Sequence, residues 1–431
     1  MALYAIESQQ FGLKKESVRG TAESAPDKWY QSRGMVDINY GIQHLQDMGI
    51  RGIPAKFPPI QGIATGEAKI PLYYDAQMMG EFFYSALGAV ASAEDSTVTI
   101  SASNNKLNFN IGAGELTATI DSGTYPIGTT SATSGTLCAE IKDALFAADA
   151  TGTYTVTYSR TTKLFTIARS AGTLNLLAAT GANIANGIWS TIGFAATDRT
   201  GSLSYAGTIT VNYAFTHTVT RSNGYQKPAY TLFLDRGMNV LKYNLAVVKA
   251  ITLKASVDGL VECDADVLFK SEAAGSIGSP SYPTQRYLSF QHVDFKIAGV
   301  SSTEVKEWNL KIDNTAVGHR GFSQSKDVLD IVSPGKLVVE GGFTAFFENA
   351  TERDKFIANT AVALRMNSQG ATIAGSSKFG VDINIYAAHY KAYPYGEDEG
   401  LMAAKATFEG FYSSSDSKEI QVAVTNEAVS Y

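Results

Sequence analysis

Charge is scarce in this chain. Asp, Glu, Lys and Arg make up 18% of its 431 residues, below the usual quarter of a globular protein, and Thr, Ser, Ala, Asn and Gly stand in their place. That composition suits sheets whose outer faces are polar but uncharged. The net charge of −6 lacks the basic excess that a sequence-independent nucleic-acid binder needs to recruit phosphates, although passive contact with DNA stays compatible with it. Cysteine is nearly missing: Cys138 falls in a helical pattern and Cys263 in a distant strand pattern, which reads as two buried thiols and not as a disulfide framework. No run approaches the roughly 18 apolar residues that a membrane helix requires. The opening MALYAIESQQ has neither the basic start nor the long apolar centre of a secretion signal. The expectation is cytoplasmic synthesis and no membrane partner.

Catalytic patterns are also wanting. The five histidines, His44, His217, His292, His319 and His389, are scattered, and none sits with another at metal-ligand spacing. No Gly-x-Ser-x-Gly elbow occurs. SPGKL (333–337) fails as a phosphate loop, because Asp330 occupies the upstream glycine position and Leu337 replaces the Ser or Thr. No catalytic, cofactor or metal site is expected, and the chain reads as a non-enzyme. One acidic pattern stands out. In VECDAD, Glu262, Asp264 and Asp266 share one face of a strand, with Val261, Cys263 and Ala265 on the other. Three carboxylates in a row repel unless water, a cation or a basic neighbour relieves them. A solvated face, a catalytic or calcium pair and an acidic wall of a water-filled passage all remain open.

What is present is mostly strand. Hydrophobic residues are 45% and aromatics 11% of the chain, ample for real cores. TITVNYAFTHTVT (208–220) alternates, with Ile209, Val211, Tyr213, Phe215 and Val219 on one face and Thr and Asn on the other. His217, within it, reads as structural. A hairpin is expected over 250–269 with Asp258-Gly259 at the bend, and further strands over 287–297, 305–312, 335–347, 361–366, 379–390, 403–412 and 419–425. Three helices are expected. One spans 75–88, with Asp75 as N-cap and Gly88 as stop. A second spans about 136–148, with Leu137, Ile141, Ala144 and Leu145 inward. The third lies in NATERDKFIANT, with Asn349 as N-cap, Glu352 completing a capping box and Phe356 and Ile357 buried.

Residues 96–205 differ in texture, being almost free of long charged side chains and carrying their own strands and helix. They read as a small α+β domain inserted into a larger β domain made of 1–95 and 206–431, since loop closure grows costly only slowly with length. Within the larger domain two stretches look short of a core. GLKKESVRGTAESAPDKWY (12–30) mixes charges of both signs without a helical or strand period, with Val18 and Trp29 as its sizeable apolar residues. GIQHLQDMGIRGIPAKFPPIQGIA (41–64) reads as a long loop exposing Leu45, Met48, Ile50, Ile53 and Phe57, an apolar contact surface.

The opening arm, the helix MMGEFFYSALG, the block FQHVDFKIAGVSSTEVKEWNLKIDNTAVGHRGF and the continuation SPGKLVVEGGFTAFFENATERDKFI together resemble a siphophage major tail tube protein, over roughly 10–90 and 206–425. The inserted segment resembles a decoration module of phage structural proteins. The resemblance implies a β-sandwich or half-barrel with a flanking short helix, assembled as hexameric rings that stack into a tube for the genome. It implies as partners further copies of the chain, the tape measure, terminator and distal tail proteins, and double-stranded DNA in passing, within the virion. It also assigns roles. Phe11, Val18, Trp29 and Tyr30 of the arm (1–33) would order against neighbouring subunits. The 41–64 loop would link rings, and Glu262, Asp264 and Asp266 would line the lumen. A cell-surface or carbohydrate-binding adhesin, a β-sandwich hydrolase, and a baseplate or terminator protein are the competing readings.

Overall fold

The computed structural model describes residues 8–46, 56, 58–127, 135–346 and 350–431. The fold is mainly β, and strict alternation of side chains builds its principal sheet. Along Ile60–Tyr73, Ala64, Gly66, Ala68, Ile70 and Leu72 turn inward while Thr65, Glu67 and Lys69 face out. This strand lies between Asp37–Leu45 and Glu262–Phe269. The sheet continues, antiparallel throughout, with Val240–Ser256, Val305–Asp313, Val338–Phe346, Leu401–Phe411 and Ser377–Ala392. There it forks. One edge of Ser377–Ala392 takes Val362–Ala374 and then Val293–Ile297. The other edge also takes Ile420–Asn426, followed by Phe215–Arg221 and Gly88–Glu94.

Val240–Ser256 joins this sheet to a smaller one. Leu245 has φ 53° and the register shifts between Val248 and Ala250, so the strand bends as bulged strands do. Its first half pairs with Tyr230–Asp235 and Ser271–Ala274, its second half with the principal sheet. Gln10–Lys15 and Lys28–Tyr30 complete the smaller sheet. The inward faces of both sheets and helix α1 (Gly80–Leu87) form one core, the layered solution that lets each apolar face find cover.

The helix α1 starts later than the pattern suggests. Asp75 caps the turn ahead of it, accepting from the Gln77 N–H at 2.8 Å and the Arg286 N–H at 2.7 Å. Gly88, at φ 97°, ends it in the left-handed region. Phe82, Phe83 and Leu87 are buried, as the stripe requires. Helix α2 (Leu137–Ala148) has Thr136 as its cap and Leu137, Ile141, Ala144 and Leu145 inward. Helix α3 (Thr351–Ile357) corrects one expectation: Ile357 is 63% exposed, and only Phe356 packs against the core. A seven-residue helix lying on a sheet can cover just one narrow stripe. Asn349 lies outside the described residues.

Strands Gly88–Glu94 and Phe215–Arg221 pair from Glu94↔Phe215 to Gly88↔Arg221, so residues 95–214 fill the position of a hairpin loop. Among the described residues the strands between 97 and 206 pair only with one another. With α2 they enclose a second core around Phe109, Val156, Phe165 and Trp189, into which Tyr213 and Phe215 reach. The expected strand over 208–220 begins only at Phe215. Before it the chain is a connector, donating from Thr208 and Ile209 to the Gly193 carbonyl and from Val211 to Lys163. Ile209 is 53% exposed there, against its assigned inward place. Alternation identified the residue types but could not see that the partner strand was missing.

Candidate assembly surfaces and the acidic strand

The opening arm carries more structure than its composition suggests. Gln10–Lys15 runs between Tyr230–Asp235 and Lys28–Tyr30. Phe11 is 1% and Tyr30 3% exposed; their rings stack at 5.5 Å, and Tyr30 meets Phe82 edge-on at 5.3 Å. Both side chains are therefore occupied within the subunit's own core, which corrects their assignment to neighbouring subunits. Leu13 is buried beside them.

The mixed charges of the arm act as staples. Glu16 accepts from the Gly20 and Leu245 N–H groups, each at 2.6 Å, and burial pushes its carboxyl above the usual range. The Arg19 guanidinium reaches Asp330 at 3.0 Å and the Ile331 carbonyl at 2.6 Å. Lys28 contacts the buried Glu81 carboxylate, to which Tyr30 also donates at 3.1 Å. Most of these partners lie far along the chain, and no local pattern could announce them. Of the arm residues singled out, Val18 is exposed and Trp29 half-buried, with an indole N–H that has no partner among the described residues.

The supposed loop over 41–64 is strand at both ends. Asp37–Leu45 and Ile60–Tyr73 form an antiparallel ribbon down to Leu45↔Ile60. Leu45 is 50% and Ile60 69% exposed. The Ala64 N–H donates to the Lys326 carbonyl at 2.9 Å; from Ala64 to the Ile60 end, Ile60, Gln61 and Ile63 are all exposed. An isolated two-stranded ribbon is marginal in water. Met48, Ile50, Ile53 and Phe57 lie outside the described residues.

Glu262, Asp264 and Asp266 do share the outward face of Glu262–Phe269, with Cys263 and Ala265 inward. They are not an uncompensated row. Arg33 bridges Asp264 at 2.7 Å and Glu262 at 3.4 Å. Asp266 stands opposite Lys69 and is also drawn on by Lys249 and Lys311, while its partial burial, the larger effect, raises its carboxyl above the usual range. The face is interlaced with both signs. Among the described residues no group of three or more His, Cys, Asp or Glu could hold a metal ion.

A family model described as phage tail tube protein matches residues 7–410. The chain belongs to that family. No curated protein matches it. Membership makes it a structural subunit of a phage tail tube, a self-assembling component of the virion tail that associates with other tail proteins.

In this tail tube protein His217 and both cysteines are buried. His217 is fully buried, its Nδ1 2.7 Å from Ser92 Oγ and its Nε2 2.9 Å from the Ala428 carbonyl; burial lowers its pKa and keeps it neutral. Cys138 and Cys263 are both buried, the former thiol pushed up to about 12 by desolvation, far from nucleophilic range at neutral pH. Among the described residues no helix is long and apolar enough to cross a membrane.

Proposed function

We propose that this tail tube subunit closes into rings, six copies to a ring as the resemblance implies, and that the rings stack into the non-contractile tube of a siphophage through which double-stranded DNA passes. The observation that carries this reading is the ribbon ending at Leu45↔Ile60, which leaves the body with its apolar side chains uncovered and needs a neighbour to be stable. Two sheet edges support it. Among the described residues Asp37–Leu45 and Gly88–Glu94 each pair on one side only, and an unpaired edge is a template for another strand. The ring-linking role belongs to this ribbon and its tip. Glu262, Asp264 and Asp266, interlaced with Arg33 and Lys69, would give a lumen wall too balanced to hold phosphate. The segment 96–205 forms a decorating domain on the exterior, and the tape measure, terminator and distal tail proteins meet the tube at its inside and its ends.

The test is negative-stain microscopy of the concentrated, purified chain. Hollow tubes with regular outer knobs are expected, and mass per length gives the copy number. Removal of residues 46–58 is expected to leave folded subunits that do not stack. A compact monomer at every concentration overturns the reading.

A further inference from the structure

Residues 320–329 join the short strands Val317–His319 and Asp330–Val332, and at their tip Phe322 is wholly exposed. The loop is held in place. Leu329 N–H donates to the His319 carbonyl at 2.9 Å, Tyr40 O–H to Asp327 at 2.7 Å, and Lys326 accepts from the ribbon at Ala64. Val328 and Ile331 anchor its base in a small apolar cluster with Ala316 and Leu245. A single exposed apolar side chain is ordinary; a receptor at the other end of the molecule makes this one informative.

The hairpin follows Asp313, which pairs with Ala250. Six residues further along the same strand, Ser256 pairs with Glu307, about 20 Å away along the sheet. There a cavity of about 290 Å³ opens, lined by Phe290, Val293, Phe295, Val305 and Trp308. Close to its mouth Val257 is 46% and Val300 71% exposed. Trp308 carries a buried indole N–H with no partner among the described residues. About 150 Å³ suffices for a benzene ring. The cavity wall carries charge of both signs, Asp294 and Lys306, with Asp294 already paired with Lys296 at 3.2 Å, so shape rather than charge recommends the fit.

We propose that Phe322 of one copy enters this cavity in the next copy. Knob and socket lie at opposite ends of one set of strands, so the contact is heterologous and head-to-tail, the kind that repeats without closing. It reinforces the ribbon, which projects from the same end. The inference rests on the stacking reading above.

The test uses the full chain. Phe322→Ala is expected to raise the critical concentration for polymerisation on the order of tenfold or more, as loss of a buried aromatic anchor does, with an unchanged urea midpoint for the unassembled subunit. A Phe322→Cys, Val257→Cys double variant is expected to give a covalent ladder when tubes are oxidised. The unassembled subunit should give none, because the two sites within one chain are too far apart for a disulfide, and Cys138 and Cys263 are buried. Wild-type tubes alongside either unchanged polymerisation of Phe322→Ala or absence of the ladder overturn the anchor and leave the tube reading standing. Failure of the wild-type chain to polymerise removes both.

Discussion

Phe11→Ala discriminates between an arm that folds within its own subunit and one that waits for neighbours. Phe11 is 1% exposed, flanked by strands on both sides and stacked on Tyr30. Truncation removes about 150 Å² of buried apolar surface, worth roughly 4 kcal/mol at about 25 cal/mol per Å². Measured Phe→Ala losses of about 3–5 kcal/mol agree. The two-residue neighbour Leu13 and the edge position of Lys28–Tyr30 allow some collapse, so about 3 kcal/mol is expected. For a chain this size, at about 2.1 cal/mol/K per residue, that corresponds to roughly 3 °C in Tm if the chain melts as one unit. The assay is urea unfolding of the unassembled subunit, with amide exchange over Gln10–Lys15. Protected amides and a lowered midpoint are expected. An unchanged midpoint with freely exchanging amides would show that the arm is ordered only by assembly.

Two further outcomes concern stability. Asp149 is 4% exposed; burial works to raise its carboxyl, but the hydroxyl and N–H of Thr151, the Tyr154 hydroxyl at 2.7 Å and Arg169 at 3.0 Å all donate to it and together hold it well below the usual carboxylate range. A depressed folded pKa contributes stability present above the unfolded value of about 4 and lost as pH falls through the folded one. Asp149→Asn, which strands Arg169, is expected to cost about 3 kcal/mol at pH 7, with the gap to wild type narrowing in thermal melts at pH 3; a gap of constant size would refute the linkage. Gly66→Ala would drive a methyl group into the Phe269 ring and carbonyl, for a loss of about 1–3 kcal/mol. Gly396→Ala, which meets nothing within 4 Å, should leave the urea midpoint in place.

Strand identity along the second half of the chain was determined by local alternation. The expected 305–312, 379–390 and 419–425 correspond to Val305–Asp313, Ser377–Ala392 and Ile420–Asn426, because a half-buried strand must repeat every two residues. The three carboxylates on one face of Glu262–Phe269, with Cys263 on the other, followed from the same rule. Tertiary structure alone decided the rest. Whether Ile209 would be covered, whether the ends of 41–64 would pair, and whether Phe11 and Tyr30 belonged to this subunit depended on strand pairing that alternation does not specify, in the last case with Tyr230–Asp235 far along the chain. Arg19 and Asp330, or Lys28 and Glu81, carry no local sign of each other. A periodic pattern reports which way a side chain faces; what stands opposite it is set by topology, and through that by the whole chain.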